Sequence, residues 1–174
     1  MKHILVVVDM QKDFVDGALG SEMAVAILPE VVKTVQTHEG PILVTLDTHE
    51  ADYLSTREGR FLPIPHCIKG TEGWKLHGTV LSALEGKAYT VIEKETFGSV
   101  QLAEAVRAAA DGEAFDVTLL GLCTDICVVS NAMLLKAAFP EADLFVLERA
   151  CAGVTKEAHD AAIRTMRSCQ IEIV

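Results

Sequence analysis

The segment Leu119–Leu135, LLGLCTDICVVSNAMLL, joins an apolar run to a helix-like run through Cys-Thr-Asp-Ile-Cys. Residues 115–121, FDVTLLG, read as a strand buried on both faces, because apolar residues do not alternate with polar ones. From Thr124 to about Ala138 the spacing becomes helical. A buried strand delivered into a helix is the βα half of a parallel crossover unit. Thr124 or Asp125 can cap that helix, which leaves Cys127 in its first turn. A thiol there is either a small buried hydrophobe or an activated nucleophile.

The same alternation runs along the chain. Strand-like runs occupy 4–9 (ILVVVD), 41–47 (PILVTLD), 87–94 (KAYTVIEK), 143–148 (DLFVLE) and 171–174 (IEIV). Helix-like runs occupy 22–38, begun or broken near Pro29, then 99–110 and 155–168. The order predicts one domain over 1–174 of α/β class. Its architecture is three-layer α/β/α and Rossmann-like, around a mostly parallel six-stranded sheet. Residues 48–78 contain five Gly and Pro residues before Gly78, and three His. They read as one long loop, and loops of that length in compact domains usually carry function.

Composition narrows the function classes. Half of the 174 residues are hydrophobic, and the formal net charge of −10 argues against nucleic acid or an anionic membrane as partner. No apolar run approaches membrane-spanning length. The start, MKHILVVVDMQKDF, has a basic residue and a short apolar run, but acidic and polar residues follow without a cleavage pattern. It reads as a buried strand. Five cysteines, an odd number without framework spacing, fit a cytoplasmic protein with reduced thiols.

Reactive residues stand where the strands end. Asp9 closes the first strand, Asp47 the second and Lys94 the third, and Cys127 follows the fourth by one turn. Each has a bland reading as a turn residue, surface lysine or core thiol, yet parallel topology gathers all four at one sheet edge. A helix start and a nearby Lys94 ammonium both favour the Cys127 thiolate, so an acidified thiol is expected. Asp9 would accept the thiol proton and later deliver it to a leaving group. The backbone N–H of Cys127, with another from the tight Leu122–Cys123 turn, could hold an oxyanion. The Cys123 side chain shapes that turn, and the Cys-x3-Cys spacing fits neither a thioredoxin-like motif nor a standard zinc pair.

A second cluster lies in the long loop. Alternating residues of an extended segment point the same way, so Asp47 and His49 can address one ion, with His66 from the stretch Pro63–Cys67. Two imidazoles with carboxylates suit Zn²⁺, Mn²⁺ or Fe²⁺ better than Ca²⁺ or Mg²⁺. His3, His38, His77 and His159 read as ordinary helix or surface histidines.

Together these pieces resemble the isochorismatase-like cysteine hydrolases, and within them most closely the nicotinamidases. The resemblance rests on VVVDMQKDFVDG (6–17), LDTHE (46–50), PIPHCIKGTEGW with its lead-in, EKETFGS (93–99) and GLCTDICV (121–128), in family order. It implies a catalytic triad of Asp9, Lys94 and Cys127. It also implies a cis peptide before Cys123 that turns its N–H into the oxyanion hole, and a metal at the loop cluster that fixes the ring of nicotinamide. The chain departs from the pattern in two places. Many members carry a second His where Ser55 stands, so Glu58 becomes the expected fourth ligand beside Asp47, His49 and His66. The usual aromatic before Pro-Pro-His is replaced by Phe61-Leu62-Pro63-Ile64, so stacking on the substrate must come from Phe14, Phe61 or Phe97. The implied reaction is hydrolysis of nicotinamide to nicotinate and ammonia through a Cys thioester, a step of NAD salvage, by a monomer or homo-oligomer. The rival readings are another small amide or isochorismate as substrate, a non-catalytic binding module, and a thiol redox sensor using Cys123 and Cys127.

Overall fold

In the computed structural model, which describes Met1–Val174, the apolar runs become one sheet. Along the chain come β1 (Lys2–Val8), α1 (Lys12–Val15), α2 (Glu22–Ala26), α3 (Leu28–Thr37) and β2 (Ile42–Asp47). A 3₁₀ turn (Tyr53–Ser55), α4 (Arg57–Phe61), α5 (Gly78–Ala83), β3 (Tyr89–Lys94) and α6 (Val100–Ala110) follow. The rest is β4 (Phe115–Leu122), a π-helical turn (Thr124–Val128), α7 (Val129–Ala138), β5 (Asp143–Ala152), α8 (Lys156–Ser168) and β6 (Glu172–Ile173). The six strands lie in the order β3-β2-β1-β4-β5-β6, and every neighbouring pair is parallel. The sheet is therefore wholly parallel, not mostly so.

This order has a functional consequence. The chain builds outward from β1 to β3, then returns to the other side of β1 as β4. In open parallel sheets the crevice at such a reversal, outside the carboxyl ends of the strands, is where ligands bind. Asp9 and the Cys123–Val128 turn flank that crevice. Val6, Val7 and Val8 are fully buried, as a central strand covered on both faces requires. Helices α2, α3 and α5 pack together on one side of the sheet, and α6, α7 and α8 on the other. No helix is long and apolar enough to cross a membrane.

Three boundaries differ from the sequence expectation. The helical run 22–38 is two helices meeting at Ile27, with Pro29 in the first turn of α3, where its missing N–H does no harm. The long loop holds a 3₁₀ turn and α4, and α5 begins where the loop was expected to end. These helices have five or six residues, too few to show a helical period. Strand β5 runs to Ala152, past Glu148, because Cys151 and Ala152 pair with Gly121 and Leu122 beyond a register shift.

Candidate active site

Three strand ends bring the expected triad residues together. Asp9 follows β1 in the left-handed region (φ 47°), which Asp tolerates better than most residues. It is fully buried, and its Oδ1 accepts the Thr45 hydroxyl of β2 at 2.6 Å. Lys94 ends β3, and its Nζ lies 2.6 Å from Asp9 Oδ2 and 3.2 Å from Asp47 Oδ1. The same ammonium lies 3.4 Å from Cys127 Sγ. Gly121 lets this happen: a Cβ there would sit 2.1 Å from the Val8 carbonyl oxygen, so only glycine lets β4 press against β1 ahead of the Cys123 turn. The Leu122–Cys123 peptide is cis.

The electrostatics correct one expectation. Cys127 is 4% exposed, and burial pushes its thiol well above the ordinary cysteine range. The Asp9 charge and a hydrogen bond with Asp9 act in the same direction and outweigh Lys94. The thiol is therefore held protonated in the free protein, where the helix start and Lys94 alone would have made it acidic. Burial works against the Lys94 charge, but the Asp9 and Asp47 carboxylates hold the ammonium above its usual range. Burial also raises Asp9. The carboxylates of Asp9 and Asp47, stronger acids by type than a thiol, carry the negative charge that stands against Lys94.

The capping expectation also fails. Cys123 occupies the N-cap position of the π turn, and no side chain caps it. Thr124 Oγ1 bonds instead to His159 Nδ1 at 2.8 Å, and Asp125 Oδ1 accepts the Val154 N–H at 2.9 Å. His159 thus belongs to the site's support. His3 pairs with Asp116, His38 is half-buried at the end of α3, and His77 accepts the Thr79 N–H at the start of α5.

The four expected metal ligands converge. One donor atom from each of Asp47, His49, Glu58 and His66 lies within 4.8 Å of all the others. His49 Nε2 is buried without a hydrogen-bond partner, although Asp47 Oδ2 stands 2.8 Å away. His66 Nδ1 is taken by the Ile64 carbonyl at 2.8 Å, which leaves Nε2 for the cluster. Glu58 is carried by α4, whose start is capped by Thr56 Oγ1 accepting the Gly59 N–H at 3.0 Å. Two imidazoles and two carboxylates, buried or nearly so and aimed at one point, fit a divalent transition metal.

Sequence reasoning missed several supporting residues. Gln11, fully buried, donates to the Asp47 carbonyl at 2.8 Å and accepts the Asp47 N–H at 2.7 Å. It thereby clamps the peptide that presents Asp47 to both clusters. Tyr53 packs at a tilt against His49 and edge-on against His66 (centroids 4.7 and 4.9 Å) and donates its hydroxyl to the Leu62 carbonyl at 2.9 Å. Asn131 accepts the Ser99 N–H and donates to the Cys127 carbonyl, both at 2.9 Å. The family motif contained Gln11, but nothing in its spacing told which backbone it would meet.

A cavity of about 560 Å³ opens over these groups. Cys123 and Cys127 line one part, and Asp47, Glu58 and His66 line another. Phe14, Phe61 and Phe97 all contribute to its wall. They differ in burial: Phe14 is half-buried and packs 5.4 Å from the His66 ring, whereas Phe61 is 77% exposed and Phe97 47% exposed. No lysine or arginine lines the cavity.

Fold, strand-end residues and cavity define a hydrolase-like α/β site, and the comparisons agree: the chain belongs to the isochorismatase domain family, whose model matches residues 3–174. More particularly, it is similar to the nicotinamidase/pyrazinamidase PncA from Bacillus subtilis, with a TM-score of 0.85 and 28% identity over all of both chains. The pyrazinamidase of Pyrococcus horikoshii in complex with zinc superposes with a TM-score of 0.80 at 27% identity, covering 100% of this chain and 99% of that one. The nicotinamidase of Schizosaccharomyces pombe is 24% identical over 98% of this chain and 91% of its own.

Proposed function

We propose that the chain is a cysteine amidohydrolase acting on a neutral aromatic carboxamide, nicotinamide first among them. The observation that carries the reading is that one apolar cavity holds Cys127 at one part and the Asp47, Glu58 and His66 donors at another. Similarity to a nicotinamidase/pyrazinamidase, to a nicotinamidase and to a pyrazinamidase in complex with zinc supports it.

The chemistry follows from the residues. Asp9 takes the Cys127 proton as the sulfur attacks the carboxamide carbon, so burial of the thiol is overcome only when substrate is present. The negative charge passes to the former carbonyl oxygen, for which the N–H groups of Cys123 and Cys127 are the candidate donors. Asp9 returns the proton to the nitrogen, the C–N bond breaks and ammonia leaves a thioester. Water, deprotonated by Asp9, then attacks the thioester, and nicotinate departs as Cys127 regains its proton. Lys94 stays charged throughout and offsets the anion wherever it resides. Asp47, His49, Glu58 and His66 would hold a divalent ion, Zn²⁺ by analogy or else Mn²⁺ or Fe²⁺, that supplies a Lewis-acid contact for a heteroaromatic nitrogen when bound. Phe14, close to His66, is the aromatic best placed to flank a ring there, with Phe61 and Phe97 at the rim.

The lining argues against the rival substrate. Isochorismate carries carboxylates, and the cavity wall offers them neither Lys nor Arg, so a divalent ion at the Asp47–His66 cluster would be their one cationic partner. Ammonia release from nicotinamide, pyrazinamide, benzamide and N-carbamoyl amino acids, together with pyruvate release from isochorismate, is the test. The reading requires the pyridine and pyrazine amides to lead and the anions to be inert; the reverse order overturns it.

A further inference from the structure

The Thr-Asp pair ahead of Cys127 does not serve its own helix. Both side chains reach across to the segment that leaves β5 and starts α8. Asp125 Oδ1 takes the Val154 N–H at 2.9 Å, and Thr124 Oγ1 meets His159 Nδ1 at 2.8 Å. The approach is close: a Cβ on Gly153 would lie 2.8 Å from both Asp125 Oδ1 and His159 Cβ. Thr124 is fully buried, and the His159 side chain is 14% exposed. Beyond the ring, Glu148 Oε1 stands 3.6 Å from Nε2. The ring thus stands between the Thr124 hydroxyl on its Nδ1 side and the Glu148 carboxylate on its Nε2 side, and it ties Thr124 to α8.

Thr124 sits between the two candidate oxyanion donors. Its N-terminal neighbour, Cys123, supplies one N–H, and Cys127 supplies the other together with the sulfur. The turn is π-helical, and the Cys123 carbonyl accepts from both Ile126 and Val128 at 3.1 Å, while Asn131 ties the Cys127 carbonyl from the next turn of α7. Something outside the turn must hold it, because donors and nucleophile have to sit within about 0.5 Å of the productive geometry.

We infer that His159 is a positioning residue for the reaction, acting through Thr124 to hold the turn that carries Cys127 and the oxyanion donors. It touches neither substrate nor sulfur, and its effect appears where the transition state forms, not where substrate binds. The inference rests on the proposed role of Cys127 but not on nicotinamide as the substrate.

The test uses the full chain and the amide that the parent turns over fastest, so failure of nicotinamide is read separately in the parent. His159→Leu should lower kcat about 10-fold or more, since small misplacements at a reacting centre are expensive, with KM within about 2-fold. His159→Asn, which keeps a polar atom near the Nδ1 position, should recover most of the kcat. Thr124→Val should match His159→Leu, and the double variant should be no worse than either, as expected of one shared bond. Thermal unfolding of each variant separates misplacement from loss of fold. An unchanged kcat in His159→Leu overturns the inference, as do a loss that Asn fails to restore, additive effects in the double variant, or a kcat loss that only tracks the melting temperature. A parent inert toward every amide overturns it together with the hydrolase reading.

Discussion

Two clusters share this site and are built differently. The Asp9–Lys94–Cys127 group is assembled from the ends of three strands, buried almost completely, and linked through one ammonium. The Asp47–His49–Glu58–His66 group has one strand end and three residues from the irregular segment after it, with Glu58 on a five-residue helix. Asp47 alone belongs to both, giving Oδ1 to Lys94 and Oδ2 to the histidines. A rigid edge suits bond making, where tenths of an ångström matter. A loop cluster suits holding a ligand, where the donor set matters more and the segment can vary between relatives. The departure at Ser55 and the place of Glu58 in the cluster fall on the loop side.

That contrast predicts unequal consequences of damage. The largest effect should be at the nucleophile: Cys127→Ala loses roughly 10³-fold or more in kcat, whereas Cys123→Ala, which keeps its backbone N–H, retains substantial activity. Steady-state assays of both decide this, and comparable activity in Cys127→Ala and parent breaks the assignment. Asp9→Asn should follow at about 10²–10⁴-fold, because the amide is isosteric but cannot take the thiol proton.

Damage on the loop side should be smaller and different in kind. His66→Ala, or treatment with a chelator, should raise KM and lower metal content, while alkylation of Cys127 by a small neutral reagent continues. Equal collapse of alkylation and turnover would erase the distinction between the clusters. Gln11→Leu should weaken metal retention about 10–100-fold, as loss of an outer-shell contact does, measured by competition with a chromogenic chelator.

Thiol reactivity sharpens the same comparison. Burial and Asp9 raise Cys127, so its thiolate fraction is small at neutral pH and grows as pH climbs. Its alkylation rate should still be rising at pH 9, the ordinary cysteine value. Exposed Cys169 should be labelled ahead of it at neutral pH, read by peptide mass spectrometry. A plateau below pH 8 would restore the acidic thiol. The smallest effect should come from Tyr53→Phe, which forfeits one bond to Leu62 and about 1 kcal/mol of stability.

What the sequence made legible follows the same divide. Apolar runs ending in Asp9, Asp47 and Lys94 announce their places because a parallel sheet puts all strand ends on one edge. Glu58 was reachable only through resemblance, since α4 is too short to leave a periodic signal. The state of the Cys127 thiol was misread because helix placement is local while burial is a property of the whole fold. His159 was passed over for a related reason: a histidine on α8 reveals its partner only when α8 docks beside a turn 35 residues earlier. Thr124 and Asp125 looked like caps because capping is the local use of such residues, and tertiary partners displaced it.

The central claim is that the strand-end cluster makes and breaks a bond through Cys127. Acid quenching during nicotinamide turnover, followed by intact and peptide mass spectrometry, tests it most directly. The account predicts a nicotinoyl adduct on the peptide containing Cys127, absent from Cys127→Ala and present in Cys123→Ala. Turnover of nicotinamide with the adduct on Cys123, or undiminished turnover in Cys127→Ala, would contradict it.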